Sequence, residues 1–595
     1  MNRLRLHHRA PLVYLVVAMA VALTPSVRAQ TVAGEPSNKP AGAITGRVIS
    51  SAGEPLAGAS VSAFGVGTSA RPAGTTADAR GNFKLDGLAP GVYSLIAGMP
   101  GYVNPQLPSL NQAATYYHPG DSATLTLMKG AVITGTVTGP DGPLVAVGVF
   151  AMRVRDTEGK KLVASQGAYE RHTDDRGVFR FYGLIPGSYL VYAARPRTGI
   201  IMPSAYDDNI PIFYPSSTRD TAAEILVRDG DEVTADLRYR AESGHAISGR
   251  INKVIEAGGP TFRNQINISI IDAHDRTLIA GFALDVPDFA FYGLPDGDYE
   301  LTAGQYVQTT RDQLRSPPLR VTVRGADVTG LSLSLAPLAS IDGRLVIESD
   351  PKFQCGKRRE SAAQETMIWA RRYEPQTRSS DANAGDPVSL SATNFATYAV
   401  SDAKGSFSWK NLLNGSYRID PVAPANGWYV QSISKGPADT PATKAASYTI
   451  ARDGISVRNG EHLTGLVVTI TEGAAQVRGR VAVSEGQTLP PRPAVYLVPA
   501  EPNGSENVLR FYEARTDNDA AFILNNVAPG SYWIVARPFE ESAPLARAKS
   551  ISRDPVLRAR VLQEAESQKK TLTLKPCEEL KDFDLKYAIV SEARP

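Results

Sequence analysis

"GNFKLDGLAPGVYSL", Gly81 to Leu95, decides the fold, because the chain spells nearly the same phrase four more times. "GVFRFYGLIPGSYLV" begins at Gly177, "FAFYGLPDGDYEL" at Phe289, "GSFSWKNLLNGSYRI" at Gly405 and "AAFILNNVAPGSYWI" at Ala520. Each copy sets a Phe ten residues before a Tyr: Phe83/Tyr93, Phe179/Tyr189, Phe289/Tyr299, Phe407/Tyr417 and Phe522/Tyr532. Ten is an even spacing, so both rings share a face in strands that alternate with period two. Leu88, Leu184, Leu294, Leu412 and Val527 plug the turn between them. Most of the phrase is therefore core and turn, not ligand contact.

A second phrase lies upstream each time: "ITGRV" at Ile44, "ITGTV" at Ile133, "ISGRI" at Ile247, "IDGRL" at Ile341 and "VRGRV" at Val477. Its glycines, Gly46, Gly135, Gly249, Gly343 and Gly479, are spaced by 89, 114, 94 and 136 residues. Repeats of that length are domains in tandem rather than solenoid units. Within the first unit, "AITGRVIS" alternates as a half-buried strand, and Asp78 and Gly81 mark a hairpin turn. Leu125 and Leu127 belong to a closing strand. Six or seven short strands per unit and no helical period predict an all-β tandem array of Ig-like antiparallel β-sandwiches, with at most one or two short helices. One of these is expected in "DPVLRARVLQEAESQ", with Asp554 as N-cap, Pro555 in the first turn and a stripe of Val556, Leu557, Val561 and Ala565.

The units are expected at 42–130, 131–243, 244–338, 339–473 and 474–595, with an insertion at about 351–395 in the fourth that reads as a loop excursion. Only five residues separate Leu127 from Ile133. Linkers so short favour a semi-rigid rod, and a monomer is expected.

Residues 1–29 differ in kind. Arg3, Arg5 and Arg9 precede the apolar run Ala10 to Leu23, and Val27-Arg28-Ala29 supplies small residues for cleavage. The pattern fits a Sec-type signal peptide followed by a linker at 30–41, and the apolar run is short for a membrane span. Expected locations are therefore secreted, periplasmic or cell-envelope, with no membrane-spanning segment after signal removal. Taking the four arginines of this segment from the 63 basic residues leaves 59 against 60 acidic ones. A nucleic-acid partner needs a basic field, and this balance supplies none. Cys355 and Cys577 are the only cysteines. In an exported chain two thiols fit a single disulfide, with two separate thiols as the alternative.

The string "GRVISSAGEPLAGASVSA" followed by "TTADARGNFKLDGLAPGVYSL" resembles the carboxypeptidase regulatory-like domain, a transthyretin-like sandwich. Units 2 and 5 keep most of this pattern, whereas units 3 and 4 lose its "G.PL.GA" centre. The resemblance implies an accessory module of a kind found beside zinc-carboxypeptidase domains, on outer-membrane transporters and in tandem on secreted bacterial proteins. Related exported sandwiches cross-link a first-strand Lys to Asn, but here those positions hold Arg47, Thr136, Arg250, Arg344 and Arg480.

Signals for chemistry are sparse. Beyond residue 29 the histidines are His118, His172, His245, His274 and His462, and none has Glu three residues later, as a carboxypeptidase zinc site needs. There is no HExxH and no G-x-S-x-G. The loose dinucleotide spelling at Gly65 to Ala70 sits in a strand-only unit. Asp78, Asp174, Asp402 and Asp517 fit turn chemistry better than a calcium cage. The expectation is a protein without enzyme activity, catalytic residues, cofactor or metal. Exposed aromatic pairs are the candidate ligand contacts: Tyr116 and Tyr117, Phe213 and Tyr214, Trp428 and Tyr429. They would serve as platforms on which a glycan stacks. The leading function is a binding or scaffold protein with a glycan ligand. The alternative is a protein-interaction adaptor, or an accessory partner of an outer-membrane or peptidase complex.

Overall fold

The computed structural model describes residues 42–587 apart from 67–70, 105–114, 160–161, 163–168, 195–208, 256–264, 275–277, 285, 308–311, 350–354, 356–361, 374–397, 437–448, 484–488, 491–492, 502–505, 518, 539–550 and 553. The expected signal peptide and linker lie outside the described residues. Sandwich 1 illustrates the unit. Its strands are β1 (Gly42–Ser50), β2 (Ser60–Gly65), β3 (Ala73–Thr76), β4 (Asn82–Leu88), β5 (Tyr93–Gly98), β6 (Tyr102–Val103) and β7 (Ser122–Lys129). One sheet runs β4-β1-β7-β6 and the other β3-β2-β5. Alternation decides which side chains meet between them: Ile44 and Val48, Val61 and Ala63, Phe83 and Leu85, Leu95 and Ala97, Leu125 and Leu127 are buried together. Four further pairs of sheets follow along the chain, each pair around its own main core.

The two repeated phrases turn out to be partners. Gly46 lies opposite Phe83, Gly135 opposite Phe179, Gly249 opposite Phe289, Gly343 opposite Phe407 and Gly479 opposite Phe522. A Cβ at Gly46 would stand 2.0 Å from the Ala123 carbonyl oxygen and 2.6 Å from the Phe83 ring; at Gly343 it would stand 2.3 Å from the Phe407 ring. Only hydrogen fits between ring and neighbouring strand. The register then shifts as the Phe strand ends. The residue that absorbs the shift is left-handed in all five copies: Gly87, Gly183, Gly293, Asn411 and Asn526. Glycine and asparagine are the residues that enter this region most readily.

The Tyr of each phrase makes one bond five times over. Its hydroxyl donates to the carbonyl four residues back: Tyr93 to Ala89 at 2.9 Å, Tyr189 to Ile185 at 2.7 Å, Tyr299 to Pro295 at 2.6 Å, Tyr417 to Leu413 at 2.8 Å and Tyr532 to Ala528 at 2.6 Å. The bond closes the turn between the Phe and Tyr strands and gives each hydroxyl an acceptor.

The all-β sandwich class holds, with one departure inside every unit. The first strand pairs antiparallel with the Phe strand on one side and parallel with the last strand on the other. Between first and last strand the chain builds the second sheet, in sandwich 3 all of it but the short edge strand Ala336–Pro337, a connection long enough to return in the same direction. The stretch 351–395 is also more than a loop. It contains the helical turn Ala362–Glu365 and the strand Met367–Tyr373, which pairs with Gly415–Val422 as part of the second sheet of sandwich 4.

The helix Pro555–Gln568 forms as expected, with Asp554 accepting from the Val556 and Leu557 amides at 2.9 and 3.2 Å. Val561 and Ala565 are buried against Tyr496 and Val535, so the helix covers the outer face of a sheet. Val556 departs from the expected stripe and is exposed.

Candidate functional site

The six candidate aromatics do not form open platforms. Phe213 stacks on Tyr192, which stacks in turn on Phe150, and this trio is buried on sandwich 2. Tyr214 packs on the main core of the same sandwich. Trp428 lies in the core of sandwich 4 at 5% exposure. Tyr429, on the same strand, has its hydroxyl pushed above the usual tyrosine range, first by burial. Tyr117 pairs its backbone with Tyr93 and packs on the core of sandwich 1. These positions offer packing surface to the protein itself, because an aromatic in a short loop strand has a sandwich face within reach.

Tyr116 does something else. It meets Trp369 at a ring separation of 5.9 Å and Tyr398 at 6.5 Å, both on sandwich 4. Val66 and Val92 from sandwich 1 and Met367 from sandwich 4 are buried in the same cluster. Beside it, His118 Nε2 lies 3.0 Å from the Glu365 carbonyl oxygen. Sandwiches 1 and 4 are thus clasped together, although two units separate them in sequence. The alternation of one strand makes the clasp. Ile368 and Ala370 point into the core, so Met367 and Trp369 fall on the outer face of their strand. An apolar outer face needs a cover, and the end of sandwich 1 supplies it. This parity was the available signal, and it lay inside the stretch taken for a loop.

Beside the clasp the two sandwiches line an open cleft of about 640 Å³. Val66, Pro90 and Gly91 edge it from sandwich 1, and Asp342, Gln364, Ser406 and Ser408 are among its residues from sandwich 4. Adjacent strands deliver these groups. Asp342 is on Ala339–Glu348, Ser406 and Ser408 are on Ser406–Leu412, and His462 opens His462–Glu472 on the other side. His462 Nε2 is 2.7 Å from Asp342 Oδ2. The Asp342 carboxyl is held below the usual carboxylate range by a hydrogen bond from Ser408, by His462 and by the nearby Lys410. Ser408 and His462 both address the carboxylate, so this is an anchored anion and not a serine-histidine relay.

The turn aspartates are spent on their own hairpins. Asp78 Oδ1 accepts from the Arg80 and Asn82 amides, Asp174 from Arg176 and Val178, Asp402 from Lys404 and Ser406, and Asp517 from Asp519 and Ala521. Among the described residues no group of three or more His, Cys, Asp and Glu is placed to hold a metal ion. Gly65 closes a strand and Val66 is buried, while the rest of the loose dinucleotide spelling lies outside the described residues. Cys355 and Cys577 are joined as a disulfide, which ties sandwich 4 to sandwich 5 across 222 residues. Among the described residues no helix is long and apolar enough to cross a membrane.

No curated protein matches the chain. Solved structures similar to parts of it include the Bacillus anthracis TIE protein, at 14% identity and a TM-score of 0.14 over 50% of this chain and 51% of that one. The minor pilin GBS52 of Streptococcus agalactiae is similar at 14% identity and a TM-score of 0.19, over 33% of this chain and 94% of that one. The shaft pilin spaA of Lactobacillus rhamnosus GG reaches 10% identity and a TM-score of 0.15, over 34% and 99%. The chain spans about half the length of the TIE protein, and scores this low carry no argument about function. Residues 43–116, from β1 through Tyr116, match the carboxypeptidase regulatory-like domain.

Proposed function

We propose that this chain is a non-enzymatic, exported binding scaffold built of five sandwiches bounded near 42–130, 131–243, 244–338, 339–473 and 474–595, with residues 1–29 as its signal peptide and a cell-envelope glycan as its ligand. The observation that carries this reading is the use to which the repeated residues are put. Each Gly, Phe, Tyr and turn Asp serves the fold of its own unit, so the repeated residues build a shape rather than a reactive site. The disulfide and the clasp hold units in fixed relation, as a scaffold requires.

A protein-adaptor reading has one observation in its favour. Tyr182 and Tyr292 occupy the same place in their phrases and are 64% and 46% exposed, although both sit beside buried Phe residues. Exposed tyrosine is common at protein interfaces.

The test is binding of the chain from residue 30 onward to purified polysaccharides and to envelope fractions, at low and high salt. Retention on one glycan class that persists at high salt supports the glycan scaffold. Retention only by an envelope protein fraction, lost when Tyr182 and Tyr292 are changed to Ala, replaces it with the adaptor.

A further inference from the structure

We propose that the cleft between sandwiches 1 and 4 is the binding site for a neutral, hydroxyl-rich ligand, a short stretch of glycan, with Asp342 and Ser408 as its polar anchor. The proposal rests on the glycan reading above and gives it a location that none of the six aromatic candidates supplies.

Size comes first. A cleft of about 640 Å³ falls within the range of roughly 300–1,000 Å³ usual for small-ligand sites. Its lining mixes two kinds of surface. Pro90, Gly91 and Val66 give an apolar edge, and the sandwich 4 side carries serine hydroxyls, the Gln364 amide and carboxylates beside Val400 and Phe407. Sugars present the matching pair of surfaces, apolar C–H faces and a rim of hydroxyls.

Charge narrows the class further. Among the described residues no Lys, Arg or His lines the cleft, and the cationic side chains next to it, His462 and Lys410, face Asp342, so a phosphate, sulfate or carboxylate ligand would meet the carboxylates of Asp342 and Asp402 first. A cationic ligand is not called for either. Asp342 already has His462 at 2.7 Å and Lys410 nearby. Asp402 Oδ1 accepts two backbone amides of its own turn, at 2.8 Å each. What remains is an anchored carboxylate that accepts hydrogen bonds, beside hydroxyls that accept and donate. Ligand hydroxyls complete such a set, and a hydrogen bond to a charged acceptor is among the stronger ones.

Preorganisation is the third strand. Ser406 and Ser408 are exposed positions on a strand whose Phe407 and Trp409 are fixed in the core. Ser401 donates to the Ala363 carbonyl at 2.6 Å and pins the adjoining loop. The clasp of Tyr116, Trp369 and Tyr398 holds the opposite wall in place. The polar groups therefore need little ordering when a ligand arrives.

The experiment is calorimetric titration of the full chain with uncharged gluco-, chito- and manno-oligosaccharides and with a sulfated glycan. Alongside it run Asp342→Asn, Ser408→Ala and Ser406→Tyr, each checked for an unchanged melting profile. The native chain is expected to bind one uncharged series. Asp342→Asn should weaken that binding about tenfold or more, the loss of one charge-assisted hydrogen bond. Ser406→Tyr, which fills the cleft from an exposed strand position, should abolish it. Trp369→Ala should weaken it without touching the ligand, because it frees the opposite wall. Oligosaccharide binding that survives both Asp342→Asn and Ser406→Tyr overturns the cleft and leaves the glycan scaffold standing. No binding of any oligosaccharide by the native chain overturns both. Preference for the sulfated glycan overturns the neutral class.

Discussion

A methyl group added at Gly135 would stand 2.1 Å from the Ala235 carbonyl oxygen and 2.9 Å from the Phe179 ring. Neither neighbour can yield, one being backbone and the other a buried ring. Gly135→Ala should therefore destabilise sandwich 2 by about 2–3 kcal/mol, measured as a shift in its denaturant midpoint. The opposite change is available in sandwich 5. Where sandwiches 1, 2 and 4 close their Asp hairpin with Gly81, Gly177 and Gly405, sandwich 5 has Ala520 at φ +58°. Ala520→Gly removes left-handed strain and should stabilise that unit by about 1 kcal/mol. The repeated Tyr adds a pH dependence. Burial raises the hydroxyl pKa of Tyr93, Tyr189, Tyr299, Tyr417 and Tyr532, and Tyr417 is pushed up to about 12. The folded state keeps its proton after the unfolded chain, titrating near pH ~10, has lost it. Stability from Tyr417 is thus complete below that pH and drains away as pH climbs toward about 12. Tyr417→Phe should flatten the alkaline limb of the melting curve of sandwich 4, at a cost near neutrality of about 1 kcal/mol for the lost bond to Leu413.

At the scale of elements, the helix Pro555–Gln568 depends on its first turn. Asp554→Ala leaves the Val556 and Leu557 amides without their acceptor and should cost about 1 kcal/mol, visible as faster hydrogen exchange over the helix and the sheet face it covers. This helix, the Phe and Tyr strands and the Asp turns were legible in the sequence because each carries a local marker: a cap, an even spacing, a left-handed glycine. Pairing was not. Nothing in "SATLTLMKG" says that β7 lies parallel to β1, since register between distant strands is a property of the assembled sheet. The strand Met367–Tyr373 escaped for a different reason. Arg371 and Arg372 follow an outward apolar pair, Met367 and Trp369, which erases the alternation that marks a half-buried strand. With it went the clasp and the cleft. The aromatic pairs were visible as residues but not as surfaces, because Phe213 and Trp428 carry no mark of which way they face.

In the molecule from residue 42 onward, two long-range ties act on units that have their own cores. The Cys355–Cys577 disulfide closes a loop of 222 residues, and in the chain-entropy account such a loop contributes about 5 kcal/mol. Cys577→Ser should lower the stability of sandwich 5 by up to that amount and leave sandwich 1 unchanged, a difference that domain-resolved hydrogen exchange can read. Trp369→Ala should do the reverse. Sandwiches 1 and 4 keep their separate cores, so both stay folded while protection falls at Val66 and Val92 on their shared face.

The parallel pairing of first and last strands also bears on how the chain must be made. Thr45 pairs with Ser122, so β1 waits for a partner 77 residues further along the nascent chain. At synthesis rates of roughly 5–20 residues per second that wait is about 4–15 s. Throughout it, one edge of β1 is bare, and β7 reaches that edge before any strand of the next unit has been made. The next unit brings Gly135 and Phe179, the same match in the same spelling. Five copies of one lock stand on one chain, and the order of synthesis offers the first of them its own key before the next copy exists.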